Sequence, residues 1–361
     1  MIQPKLHTTV LIIPTGIGAT IGGYAGDALP VARTLAQITD RLITHPNVMN
    51  GAQMYWPMEN AYYVEGYGLD QFAAGNWGLR PVHQNPIGLV IDQGVEDELR
   101  WRHLQAADAA RATLGLDVKA HVVTDMPLGV ALKTTDSGAS WGTLQNPGSL
   151  LRAAERLINE VGIRAIAVVA RFPDDEGSAE LEAYRQGQGV DPLAGAEAVI
   201  SHLVVRTFKI PCAHAPALLP LPLDPTISPR SAAEELGHTF LPCVLAGLSR
   251  APQFVEGHSS RADSTVIGAH EVDAVIVPAT AFGGSAVMSL AYAHNGSSPQ
   301  IIAVGENRTT MAVSAADLGI RAIALNTYLE AAGAIAAYRA GVAPSVLQPS
   351  IRSIPALGIR N

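Results

Sequence analysis

Eight short runs of this chain are apolar almost without interruption, and helical patterns separate most of them. The runs are TTVLIIP (8–14), IGLVID (87–92), VKAHVVT (118–124), IRAIAVVA (163–170), FKIPCA (208–213), VDAVIVP (272–278), QIIAVG (300–305) and IRAIAL (320–325). A strand with one wet face alternates apolar and polar side chains, and these do not. They predict strands covered on both faces, as in a parallel sheet flanked by helices. Asn146-Pro147, Asp191-Pro192 and Ser228-Pro229 each set a capping side chain and a proline before a helical stretch.

The class is therefore α/β: open, mostly parallel sheets with helices on both faces, arranged in two lobes. A closed (β/α)8 barrel is the alternative, because eight strand–helix alternations also satisfy it. Uneven spacing favours open sheets, with more than seventy residues between the first two runs. A proline-rich stretch at 215–229, APALLPLPLDPTISP, reads as a crossover between lobes at 1–214 and 230–361. VLIIPTGIGATIGG and DAVIVPATAFGG share an order of strand, proline, threonine and paired glycines, a faint echo between the two halves.

Composition narrows the function classes. With 361 residues, 48% of them hydrophobic, the chain can bury a large core. A net charge of −8 without any basic run argues against nucleic acid and against anionic membrane as partners. Residues 274–293 carry no charge, yet Pro278 and Gly283-Gly284 divide them into strand, loop and helix start rather than a membrane span. Cys212 and Cys243 have neither CxxC spacing nor a disulfide pattern. The N-terminus lacks the features of a secretion signal, so a cytoplasmic protein is expected.

The first run opens onto Gly16, Gly18, Gly22, Gly23 and Gly26 before a helical stretch. Bare backbone ahead of a helix suits a phosphate or carboxylate, and a tight strand–helix turn explains the same glycines without any ligand. The spacing is neither a GxGxxG fingerprint nor a P-loop, since no lysine follows it. The motif leaves the cofactor unassigned.

Ligands of parallel α/β proteins sit beyond the carboxyl ends of strands. The first polar residues there are Thr15, Asp92, Asp125, Arg171, His214, Thr280, Glu306 with Asn307, and Asn326. Glu306 follows a buried run, which can raise a carboxyl into the acid–base range, and His214 titrates near neutrality. Arg171 can grip a carboxylate or phosphate, or can simply neutralise Glu306. Strand-end Asp and Asn also serve as caps, and His214 and Cys212 can be core residues.

Residues 55–77 hold seven of the nineteen aromatics, with His45 and Asn47 just upstream. This reads as a loop that closes over a small molecule or forms the interface of a homo-oligomer. A second loop, 132–149, gathers Lys133, Thr134, Thr135, Ser137 and Ser140 and suits an anion or plain solvent. Asp174, Asp175 and Glu176 can hold a divalent cation, or form a solvated acidic turn.

IPTGIGATIGGYAGDALPVARTLA, ITHPNVMNGA, ARFPDDEGSAELEAYRQGQGVDPLAGAEAVISH and IPCAHAPALLPLPLDP together resemble a family of unknown function found in cyanobacteria and plastid lineages. The resemblance runs over nearly the whole chain. It implies a cyanobacterial-type cytoplasmic protein and transfers no activity.

The expected function is acid–base chemistry on a small phosphorylated or carboxylated metabolite. Glu306 and His214 are the expected catalytic pair. The expected ligand set is Thr15, Gly16, Gly18, Gly22, Gly23, His45, Asn47, Asp125, Arg171, Thr280, Gly283, Gly284, Asn307 and Asn326. A non-catalytic sensor using the same pocket, or an assembly factor using the aromatic segment, are the alternatives.

Overall fold

The computed structural model describes residues 6–354 except 52, 53, 55, 137, 175–177, 239, 258–262, 293–297, 348 and 352. All eight apolar runs contain or overlap strands, and they belong to two separate open sheets. The first has the order β14-β13-β12-β1-β2-β3, all parallel. Its strands are β1 (Thr8–Leu11), β2 (Arg41–Thr44), β3 (Ala61–Tyr63), β12 (Val272–Pro278), β13 (Gln300–Val304) and β14 (Ile323–Leu325). The second has the order β10-β9-β5-β6, also parallel: β5 (Ile87–Ile91), β6 (Val118–Val123), β9 (Ala165–Arg171) and β10 (Cys212–Ala217). β4 (Trp77–Arg80) with β11 (Gln253–Glu256), and β7 (Val130–Thr134) with β8 (Ser140–Leu144), form two antiparallel pairs.

The helices are α1 (Leu29–Ile38), α2 (Pro46–Met49), α3 (Gly66–Ala73), α4 (Asp97–Leu114), α5 (Pro147–Arg156), α6 (Ala179–Arg185), α7 (Ala194–Phe208), α8 (Ala232–Glu235), α9 (Leu241–Ser249), α10 (Ser285–Ala291) and α11 (Tyr328–Arg339). Successive strand residues enter different cores, which explains why the strands do not alternate in polarity. Leu11 and Ile276 pack with α1, α4, α9 and α11, while Val10 and Val275 pack with α3 and α10. In the second sheet Leu89 joins the first of these cores, and Val90 joins a third with α5 and α7.

The lobes are not sequential halves. Strands β1–β3 and β12–β14 come from opposite ends of the chain and share one sheet, with the second sheet built from the residues between. The stretch at 215–229 thus links β10 to α8 and does not divide a first half from a second. The two echoing segments are the neighbours β1 and β12, paired at Val10–Val275. No barrel closes.

Local expectations were met unevenly. Asp191 accepts the Leu193 N–H at 2.8 Å just before α7. Asn146 makes no side-chain cap and donates instead to the Pro127 carbonyl. The stretch after Ser228-Pro229 is two helices, α8 and α9, interrupted by Gly237 at φ 68°. Residues 55–77 are not one loop: β3 and α3 occupy eleven of these twenty-three residues, and Tyr63, Phe72 and Trp77 are buried in the core. Residues 132–149 are mainly the β7–β8 hairpin, where Lys133 lies over the Trp141 ring at 4.5 Å. Ser137 lies outside the described residues.

Candidate functional site

In the first sheet the chain moves outward in opposite directions from β1 and β12. Such a reversal leaves a crevice beyond the carboxyl ends of the two strands. A cavity of about 780 Å³ lies there. Ile12, Pro14 and Thr15 after β1, and Gly283 and Gly284 after β12, form part of its wall. His45 after β2 and Glu65 after β3 extend it. The second sheet contributes His214 from β10 and Asp174 beyond β9, and α7 contributes Glu197, Ser201 and His202. Leu218–Leu221 of the proline-rich stretch cover one side.

Carboxylates crowd this wall. Asp191 and Glu234 face the cavity with most of their surface removed from water. Burial raises the Asp191 pKa well above the ordinary range, and the charges of Glu234 and Glu197 raise it further. Glu234 is pushed up to about 7 by burial, aided by Glu197 and Asp27, against hydrogen bonds from Tyr184 and the Ala25 N–H. The charge of Glu234 thus opposes ionisation of Asp191. Asp27, beside the glycine loop, is raised to about 6 by burial although Gly22 N–H and Arg230 bind it.

Two histidines pair with carboxylates. His214 Nδ1 lies 3.0 Å from Ser201 Oγ, and its Nε2 lies 3.5 Å from Glu197 Oε2. His202 contacts the buried Glu65; burial opposes its charge, but Glu65 prevails and the pKa is raised. Glu65 also accepts the N–H groups of Tyr67 and Gly68 at the start of α3. Among the described residues no group of His, Cys, Asp and Glu is arranged to hold a metal ion.

Of the residues expected from sequence, Thr15, His45, Asn47, His214, Gly283 and Gly284 line this cavity. Glu306 does not: it is exposed, and its carboxylate accepts the Tyr328 N–H at 2.8 Å, at the start of α11. It therefore shares no site with His214. Asn307 is buried and clasps the glycine loop, accepting the Ile21 N–H and donating to the Ile21 carbonyl and Tyr328 hydroxyl. Asn326 is exposed next to Glu306, and Thr280 bonds Thr309 at 2.7 Å.

Gly16, Gly18, Gly22 and Gly23 are outside the cavity wall, and their loop is packed against the protein. Gly22 donates to Asp27, Ile21 to Asn307 and Ala25 to Glu234. The loop thus binds the chain's own carboxylates, and Gly18 and Gly22 sit at φ 59° and 89°, where valine is strained.

Asp125 lies elsewhere, exposed and bound bidentately by Arg152. Arg171 is at the reversal of the second sheet, between β5 and β9. There Asp92 accepts the N–H groups of Gly94, Leu128 and Arg171, and the Arg171 guanidinium is held by Glu96 and Asp174. A smaller cavity of about 320 Å³ lies there, lined by Asp92, Gly94, Arg171 and Asp174, whose polar groups already bind one another. Asp175 and Glu176 lie outside the described residues.

The sequence matches a protein family of unknown function, DUF3326, over residues 8–348. The chain belongs to that family. An uncharacterized lipoprotein from Synechococcus sp. is 61% identical over 347 residues, covering 96% of this chain and 95% of that protein. No solved structure matches. Among the described residues of this family member, no helix is long and apolar enough to cross a membrane.

Strand-end reasoning missed Glu197, Ser201, His202, Tyr184 and Glu234, because helices carry them. One signal was available. Before its last turn the helix AGAEAVISHLVVRTF is apolar except at Glu197, Ser201 and His202, the first two spaced i and i+4 on one face.

Proposed function

We propose that the protein is an enzyme performing acid–base chemistry on a small polar metabolite held in the cavity between the two sheets. The observation that carries this reading is the group Asp191, Glu234 and Glu197, with His214, on one cavity wall. A carboxyl with its pKa near 7 donates and accepts protons at neutral pH with little free-energy cost. Glu234 is that group in this reading. His214, held by Ser201 and Glu197, is its complement.

A screen of metabolites by thermal shift, followed by product analysis, tests it. Acid–base catalysis typically supplies about 10²–10⁴-fold, so Glu234→Gln is expected to bind the hit and turn it over that much more slowly. A hit that wild type binds without any chemical change supports a sensor and overturns the enzyme.

We place this chemistry in the cytoplasm, where Cys212 and Cys243, both buried free thiols, remain reduced. The Synechococcus relative bears the name lipoprotein. Fractionation of cells producing the chain tests the placement, and recovery only with detergent-extracted membranes overturns it.

A further inference from the structure

His45 is more than nine-tenths buried, and what surface it keeps opens on the cavity. Its Nε2 accepts the Ile13 N–H at 3.1 Å. That bond uses the lone pair, so the neutral ring carries its proton on Nδ1. No described residue accepts that proton. Burial lowers the His45 pKa to about 4, so the ring stays neutral at physiological pH. The result is a fixed, uncharged donor on the cavity wall.

The rest of the wall is rich in carboxyl groups, of which Asp191 and Glu234 keep their protons to higher pH than usual. Glu65, Asp70, Asp191, Glu197, Glu234 and Glu235 all face the cavity. The two guanidiniums there are already matched, Arg185 by Glu235 and Arg102 by Glu98, each at 2.7 Å. Among the described wall residues each cation, His202 included, already has a carboxylate partner, so an entering phosphate or carboxylate finds none free. Hydroxyl groups, by contrast, donate to the carboxylates.

We propose that the cavity takes an uncharged, oxygen-bearing small molecule, a polyol or hydroxycarbonyl compound, and that His45 donates Nδ1–H to one of its oxygens. The inference rests on the reading of this cavity as the substrate site and specifies the substrate's chemistry. A neutral imidazole donor binds a carbonyl oxygen without the cost of burying another charge. It also stabilises negative charge that develops there if a neighbouring carboxylate removes a proton from the adjacent carbon. In that step the C–H pair becomes the enediol double bond, the proton passes to Glu234, and the carbonyl oxygen takes the charge.

The test uses the full chain and matched probes: dihydroxyacetone and D-ribose against dihydroxyacetone phosphate and ribose 5-phosphate. Saturation-transfer NMR reads binding, and ¹⁵N shifts of the His45 ring read its state. The uncharged probes are expected to bind at millimolar concentration, at least tenfold more tightly than their phosphates. The ring is expected to be the Nδ1-protonated neutral tautomer between about pH 5 and 8, with the Nδ1 signal moving on binding.

His45→Leu is expected to weaken binding at least tenfold, while His45→Asn, which keeps a donor near Nδ1, weakens it less. Should neither variant fold, the wild-type ring shifts still decide. Tighter binding of the phosphates, an Nε2-protonated ring, or no binding by either class overturns the inference and leaves the acid–base reading standing. Binding that leaves every cavity-wall signal unmoved puts the ligand elsewhere and overturns both.

Discussion

The phenolic hydroxyl of Tyr184 donates to Glu234, whose other carboxylate oxygen accepts the Ala25 N–H at 2.6 Å. This contact ties α6 and α8 to the glycine loop, so one carboxyl serves both the cavity wall and the packing around it. Its ionisation must register in stability. Glu234 moves from an ordinary value of 4.5 to about 7 on folding, chiefly through burial. The unfolded chain releases this proton first. The group's contribution is therefore complete below about pH 4.5 and is lost as pH rises through 7. Asp27 acts in the same sense up to about pH 6.

Glu234→Gln removes one of these losses. Its thermal midpoint relative to wild type is expected to rise between about pH 5 and 8, the span that includes the folded-state pKa. Denaturation scans of both proteins across that span make the comparison. Parallel profiles would show that Glu234 does not titrate there.

Glu306 is expected to matter for stability and not for binding. Its carboxylate accepts the Tyr328 N–H, one of the orphan donors at the start of α11, beside the capping box of Thr327 and Glu330. Glu306→Ala is expected to cost about 1 kcal/mol in chemical denaturation, as loss of a helix cap does. Affinity for a cavity ligand should stay as in wild type. A selective loss of turnover in this variant would return Glu306 to the catalytic set.

What was legible in the sequence follows from physics that acts locally. Strands covered on both faces write a continuous apolar run, as β1, β5, β9 and β12 do; the edge strands β6 and β14 were found from similar runs although they are exposed or half-buried over most of their length. β2 and β3 were not, because RLIT and AYY are too short to write any pattern and gain their place only by pairing with β1 and each other. The rule of looking beyond strand ends found Thr15 and His214, since each follows or lies on a strand beside the cavity, whereas His45 was singled out only by its place just upstream of the aromatic segment. It erred with Glu306 because β13 lies away from the reversal between β1 and β12, and strand order is not written in any local segment. Asp191 was visible as a cap, but its pKa depends on Glu234 and Glu197, which only the tertiary fold brings near.

The two thiols are expected to be inert in the native state. Burial raises the pKa of Cys212 well above the usual thiol range and that of Cys243 to about 11, so little thiolate forms at mild pH. A thiol-reactive aromatic disulfide at about pH 8 should label neither residue until denaturant is added, and then both. Rapid labelling of one thiol without denaturant would mean that its side of the core opens locally.

Gly26 offers a way to separate backbone strain from steric conflict. Its N–H donates to the Asn47 carbonyl at 2.7 Å, and at φ 78° it lets the glycine loop pass against the segment after α2. A Cβ there would lie 2.0 Å from the Asn50 carbonyl oxygen, which is backbone and cannot swing aside. Gly75 has nearly the same φ, 74°, but nothing within 4 Å of its Cβ position. Gly75→Ala therefore isolates the left-handed penalty, about 1 kcal/mol. Gly26→Ala adds the clash and should cost at least about 2 kcal/mol more. It should also weaken cavity binding, because His45 and Asn47 sit on the segment that must give way. Equal losses in the two variants, measured by denaturant titration, would mean that this segment yields freely and that the loop does not fix the cavity wall.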